Sequence, residues 1–148
     1  MSGIAVRWMV RSDLTAVSEM ERELFEFPWG ELDFVSCMRC RNCMGMVATD
    51  RDGQVVGYMV YEIHKDRIHL LNIAARPGVG AKLMGVVLGK LDDRRSRVML
   101  EVRETNLKAQ RFFQRWGFKA ISILRDFYED SKEGAYLMQY LASSKVPA

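Results

Sequence analysis

The sequence predicts a mixed α/β fold, one mixed β-sheet covered by helices, and three observations carry that prediction. Apolar runs of strand length alternate with stretches of helical periodicity. Asp50-Arg51-Asp52-Gly53 lies between two such runs, and Asp-Gly in that setting is the strongest short hairpin signal. The apolar run Leu70-Leu71-Asn72-Ile73-Ala74-Ala75 passes through Arg76-Pro77 and Gly78-Val79-Gly80-Ala81 into a helical pattern, with Val79, Leu83, Val86, Val87 and Leu91 on one face. Hairpins come first and strand–helix–strand–helix–strand follows, the order of a single mixed sheet. At 148 residues the chain suits one domain, residues 1–148.

Taken in order, Ile4 to Met9 alternates as a first strand. Ser12-Asp13 opens a helix, Ser12 as N-cap and Leu14, Val17, Met20 and Leu24 as its apolar stripe. Phe25-Glu26-Phe27-Pro28-Trp29-Gly30 breaks it, and a second helix is expected from about Glu31 to Cys43. Met46 to Thr49 and Gln54 to Ile63 are the arms of the hairpin, and Arg67 to Ala75 is the next strand. The helix after the glycines is expected to reach Asp92-Asp93. Val98, Leu100 and Val102 then face one side of a strand, with Met99 and Glu101 on the other. Asn106 to Trp116 carries Ala109, Phe112, Phe113 and Trp116 at helical spacing, and Gly117 is its natural stop. Phe118 to Phe127 and Ala135 to Leu141 complete about seven strands and four helices.

Composition narrows the function classes. With 49% hydrophobic and 28% charged residues the chain is globular rather than disordered. The start, Met1 to Arg7, lacks the apolar core of a signal peptide, and no uncharged apolar run reaches the length of a membrane span. A cytoplasmic protein with no membrane or nucleic-acid partner is therefore expected, since the net charge of +3 is modest. Cys37, Cys40 and Cys43 repeat at the spacing of part of an iron–sulfur ligand set, without a fourth cysteine or a following Cys-Pro. On a helix they form one stripe, and buried cysteine behaves as a small hydrophobe. No metal is expected.

The glycine turn is an arrangement for holding an anion: glycine lets backbone N–H groups approach a phosphate, and a helix N-terminus adds its positive dipole end. Two better-known phosphate motifs are excluded. A dinucleotide fingerprint needs a third glycine where Leu83 stands, and Gly89-Lys90 is followed by Leu91, with Met84 where a P-loop begins with glycine.

Several segments together are similar to one family. Phe27-Pro28-Trp29 with Phe34, Asn72-Ile73-Ala74-Ala75-Arg76-Pro77 with Gly78-Val79-Gly80, Leu100-Glu101-Val102-Arg103-Glu104-Thr105-Asn106 with Ala109, Gly117-Phe118, and Phe127-Tyr128 span nearly the whole chain. In that order they resemble the GNAT superfamily of acetyltransferases, most closely its RimI-type branch of ribosomal-protein N-terminal alanine acetyltransferases. The resemblance implies a mostly antiparallel mixed sheet and acetyl-CoA as co-substrate. It also implies that Ile73, Ala74 and Ala75 meet the pantetheine arm, and that the N–H groups of Gly78, Val79, Gly80, Ala81 and Lys82 take the pyrophosphate. Asn106 matches the family's cofactor-facing asparagine, and also suits an N-cap. Glu101 matches the general base, and Phe27, Pro28, Trp29 and Tyr128 match the walls around an incoming peptide N-terminus, a ribosomal protein being one candidate acceptor.

The chemistry agrees. A free α-amine has a pKa near 8, so roughly a tenth is neutral at pH 7, against well under one in a thousand for lysine. A positioned carboxylate therefore suits an N-terminus better than a lysine. The chain departs from the family at two points. Pro77 abuts Gly78, where the family has several residues, so either a true deletion or a loop missing from the chain is in view. Phe113 stands where the family has a tyrosine acid. The alternatives are a cofactor-binding but weakly active or inactive domain acting as a sensor or scaffold, or an acetyltransferase for lysine or a small-molecule amine.

Overall fold

The computed structural model describes residues 3–142. Its elements are β1 (Ala5–Trp8), α1 (Leu14–Leu24), α2 (Glu31–Arg39), β2 (Cys43–Thr49), β3 (Val55–Ile63), β4 (Arg67–Ala75), α3 (Gly80–Leu88), β5 (Arg97–Arg103), α4 (Leu107–Arg115), β6 (Lys119–Leu124) and β7 (Ala135–Leu141). The strands form a seven-stranded sheet in the order β1-β2-β3-β4-β5-β7-β6. β4 and β5 pair in parallel, whereas β1–β2, β2–β3, β5–β7 and β6–β7 are antiparallel. The expected mixed, mostly antiparallel sheet with four α-helices is therefore present. Among the described residues no helix is long and apolar enough to cross a membrane.

Two compact units divide the chain. One holds the residues up to Ile63 together with Leu70–Lys90; the other holds His64–His69 and the chain from Leu91 onward.

In the first unit, successive residues of β3 point to opposite faces. Tyr58 and Val60 join Leu14, Val17 and Met20 of α1, Phe34 of α2 and Val47 of β2 in one buried cluster. Gly57 faces α3: a Cβ there would lie 3.1 Å from Val79 Cγ1, 3.2 Å from Leu83 Cδ1 and 3.1 Å from the Ala74 carbonyl oxygen, so the missing side chain lets α3 close on the sheet. Three expectations are corrected. Ser12 does not cap α1: a 3₁₀ turn over Arg11–Asp13 precedes the helix, and the Asp13 carboxylate accepts from the Val10 N–H at 2.8 Å and from both Arg7 terminal nitrogens at 2.8 and 2.9 Å. That guanidinium holds the Asp13 carboxyl below its usual range. Leu24 is 43% exposed, whereas Glu21 is buried on α1 with only 2% of its surface accessible. And α2 stops at Arg39, because Cys40 adopts an extended conformation. The cysteines thus form no stripe: Cys37 is half-buried on α2, Cys40 is exposed, and Cys43 is half-buried on β2. Burial pushes the Cys43 thiol up to about 12.

In the second unit, Val98, Leu100 and Val102 of β5 are buried and alternate with Met99 and Glu101, as expected. Phe113 of α4 packs edge-on to Phe112 and Phe118, with ring centroids 5.3 and 5.4 Å away, and Phe118 continues to Tyr140. Gly117, at φ +97°, ends α4 in the left-handed conformation, its N–H donating to the Gln114 carbonyl.

The Tyr58 hydroxyl donates to Glu21 Oε1 at 2.6 Å inside the first unit. Tyr58→Phe keeps the ring and deletes this bond to a buried carboxylate, so a loss of about 2 kcal/mol is expected in urea unfolding.

Candidate active site

The second unit carries the candidate base. β4 pairs with β5 through Arg67–His69 against Arg97–Met99. This register brings His69 beside Met99, and Glu101 follows two residues later on the same face of β5. His69 Nε2 lies 2.8 Å from Glu101 Oε1, and the Glu101 side chain is 20% exposed. A carboxylate only accepts, so against an ionised Glu101 the His69 ring is the donor. Glu101 is thus neither on an edge strand nor at random orientation; it is aimed by its neighbour and still open to water.

In the same unit, Asn106 caps α4: its Oδ1 accepts from the Ala109 N–H at 3.1 Å. A cap uses only that oxygen, and the Asn106 amide nitrogen has no partner among the described residues. Phe113 is 5% exposed within the aromatic cluster and has no proton to give. Tyr128 is half-buried in the segment between β6 and β7, with Phe127 at 4.9 Å and edge-on. Burial pushes its phenol up to about 12, so it stays neutral near pH 7.

In the first unit, Glu21 gathers three donors. Besides Tyr58 it accepts from Asn72 Nδ2 at 3.0 Å and from the Trp29 N–H at 2.9 Å. Trp29 packs on Phe34 with centroids 5.0 Å apart; Phe27 is half-buried and Pro28 exposed. The Trp29 N–H bond to Glu21 and the Trp29–Phe34 ring contact pin the Phe27-Pro28-Trp29 segment to α1 and α2.

Ile73, Ala74 and Ala75 complete β4, beyond the stretch that pairs with β5. The chain then turns at once. Arg76 O accepts from the Val79 N–H at 3.0 Å, Pro77 takes the second position and Gly78, at φ +85°, the third: the signature of a type II turn. The Pro77–Gly78 junction is thus a continuous short turn. It also sorts the expected anion donors. The Val79 N–H is used within the turn and the Lys82 N–H donates to Val79 O at 3.0 Å, whereas those of Gly78, Gly80 and Ala81 have no partner among the described residues. The Lys82 side chain is exposed.

Two further residues belong to these arrangements and were not anticipated from sequence: Glu21 and His69. A signal existed for Glu21, a carboxylate three and four residues from Ser18 and Val17 on the buried side of α1. For His69 there was none, since its partner lies 32 residues away.

Residues 14–118 match the acetyltransferase (GNAT) family. The chain belongs to that family and is an N-acetyltransferase. It is 30% identical to the putative ribosomal protein bS18-alanine N-acetyltransferase of Bacillus subtilis, over 90% of this chain and 93% of that protein. Among solved structures, it is similar to the ribosomal-protein-S18-alanine N-acetyltransferase from Escherichia coli, with TM-score 0.80, 25% identity and coverage of 98% and 99% of the two chains. It is similar also to Ard1 from Thermoplasma volcanium, with TM-score 0.85, 25% identity and coverage of 97% and 100%.

The cap of α4 gives a direct test of the local geometry. Asn106→Ala frees the Ala109 N–H and is expected to lower stability by about 1 kcal/mol in denaturant titration, with Asn106→Asp retaining most of it.

Proposed function

We propose that the chain transfers the acetyl group of acetyl-CoA to the α-amine of a protein or peptide N-terminus, residues 1–148 acting as one domain. The observation that carries the reading is Glu101: a partly exposed carboxylate, oriented by His69 at 2.8 Å, on the β5 strand of a GNAT N-acetyltransferase. Its likeness to the bS18-alanine acetyltransferases of Bacillus subtilis and Escherichia coli supports an N-terminal acceptor, with a ribosomal protein as the first candidate.

Acetyl-CoA supplies an activated acetyl thioester. The N–H groups of Gly78 in the turn and of Gly80 and Ala81 in the first turn of α3 are the backbone donors proposed for the diphosphate. The backbone of Ile73, Ala74 and Ala75 offers a strand edge to an extended amide chain. Asn106 keeps its side-chain nitrogen for a cofactor carbonyl or hydroxyl. Phe27, Pro28 and Trp29 in the first unit, and Tyr128 in the second, are each assigned to the acceptor's first residue on the resemblance to the family.

Glu101 takes the proton from the ammonium form of the acceptor, directly or through one water, and the neutral amine then attacks. His69 fixes the carboxylate's direction, so less freedom is lost on reaching the reactive geometry. No side chain at position 113 donates a proton to the departing sulfur. A thiol with a pKa near 8.5 leaves tolerably as thiolate, so this step is slow rather than blocked.

The test is steady-state transfer to an Ala-starting peptide. Glu101→Gln is expected to lower kcat by about a hundredfold or more at pH 7, with the residual rate rising with pH as the free α-amine fraction grows. Phe113→Tyr is expected to raise kcat with KM for acetyl-CoA unchanged. Equal rates for Glu101→Gln and the parent from pH 6 to 9 would remove the carboxylate from the chemistry.

A further inference from the structure

We propose that Arg103 is a positioning residue for the acceptor peptide, holding the ring of Tyr128 and the segment around it at a fixed distance from β5. The inference rests on the reading of Tyr128 as an acceptor wall.

Arg103 is the last residue of β5, two beyond Glu101 and therefore on the same face, and it stands opposite Ala135, the first residue of β7. Its guanidinium carbon lies 3.8 Å from the centroid of the Tyr128 ring. The same group donates to Asp130 Oδ2 at 2.7 Å, to Ser131 Oγ at 3.0 Å and to Glu133 Oε1 at 3.3 Å. One side chain thus meets the ring and three residues that follow it. Only 18% of the Arg103 side chain is exposed, so solvent screens these contacts less than it does a surface pair.

The segment is closed on itself as well. The Tyr128 N–H donates to Glu133 O at 3.1 Å, and the Lys132 N–H donates to Tyr128 O at 2.7 Å. Glu133 Oε2 accepts from the Thr105 N–H at 2.9 Å, and Glu104 Oε2 from the Gly134 N–H at 3.0 Å, tying the segment to the residues after β5. Asp126 and Lys132 hold positive φ angles, +51° and +58°, which cost free energy at non-glycine residues and persist only where neighbours enforce them.

Without the guanidinium, Asp130 and Glu133 would lose their shared cation and Tyr128 its cover. The ring would then move relative to Glu101, whose strand Arg103 shares. Misplacing a bound group by an ångström is enough to change rates severalfold to a hundredfold. Arginine is required in this role because a planar fork reaches two carboxylates and a ring face together, which a lysine ammonium does not.

The experiment compares Arg103→Gln, Arg103→Lys, Asp130→Asn and Tyr128→Ala with the parent, on an Ala-starting peptide, with hydrogen exchange of residues 125–134 followed in parallel. For Arg103→Gln, peptide KM is expected to rise about tenfold with acetyl-CoA KM within about twofold, and exchange across 128–133 to speed up. Arg103→Lys should recover part of the peptide KM. Asp130→Asn removes one exposed arm and should give a smaller rise of the same kind, which keeps the inference testable should Arg103→Gln fold poorly. If Tyr128→Ala raises peptide KM while Arg103→Gln and Asp130→Asn do not, the positioning role is overturned and the acceptor wall stands. If Tyr128→Ala itself leaves peptide KM unchanged, the wall reading fails and takes the inference with it.

Discussion

A carboxylate almost without access to water sets the geometry of the first unit. Removing a carboxylate from water costs several kcal/mol, and only donors of good geometry offset that cost. Glu21 has three, from three different parts of the chain: the Tyr58 hydroxyl of β3, the Asn72 amide of β4 and the Trp29 backbone N–H. Burial and the adjacent Glu21 push the Tyr58 phenol well above its ordinary range, so it remains a donor. The arrangement constrains α1, the Phe27-Pro28-Trp29 segment and the approach to Ile73 through one side chain. A polar hub of this kind is stringent. Each donor left unpaired in the core costs about 1–3 kcal/mol, so alternatives that misplace any of the three segments are disfavoured.

A second constraint is the turn after β4. Pro77 and Gly78 reverse the chain in four residues, with the left-handed Gly78 at the third. The Val79 N–H closes this turn and the Lys82 N–H joins the first turn of α3, whereas the N–H groups of Gly78, Gly80 and Ala81 have no partner among the described residues. Nearby, a Cβ at residue 57 would press on Val79, Leu83 and the Ala74 carbonyl oxygen at 3.1–3.2 Å, so a glycine there favours the close seat of α3 on the sheet.

Much of this was legible in the sequence because it is local. The Asp50–Gly53 turn, the alternation of β5 around Glu101, the Asn106 cap and the Gly117 stop each depend on residues within a few positions of one another. The helical spacing of the cysteines continues past Cys40, but the backbone there turns extended to begin the path to β2, so α2 is shorter than its sequence pattern. Ser12 looked the better cap by residue type, but Arg7 and the Val10 N–H both converge on Asp13. Periodicity ranks leucine above glutamate and so favours Leu24 for the core, whereas Glu21 is buried there because distant donors exist for its carboxylate. His69 with Glu101, and Arg103 with Asp130, are 32 and 27 residues apart, and pairings at that range leave no periodic trace. What sequence patterns show is which residues share a face; what they hide is which face meets which.

The central claim is that the acceptor is an α-amine. It is tested most directly by incubating the enzyme and acetyl-CoA with one peptide in two forms: a free Ala N-terminus with its lysines blocked, and a blocked N-terminus with its lysines free. Mass-spectrometric mapping of the product gives the answer. The account predicts acetyl on the α-nitrogen of the first form, with transfer to lysine at least about tenfold slower, as the lower neutral fraction of lysine requires. Acetylation of lysine at an equal or greater rate would contradict it.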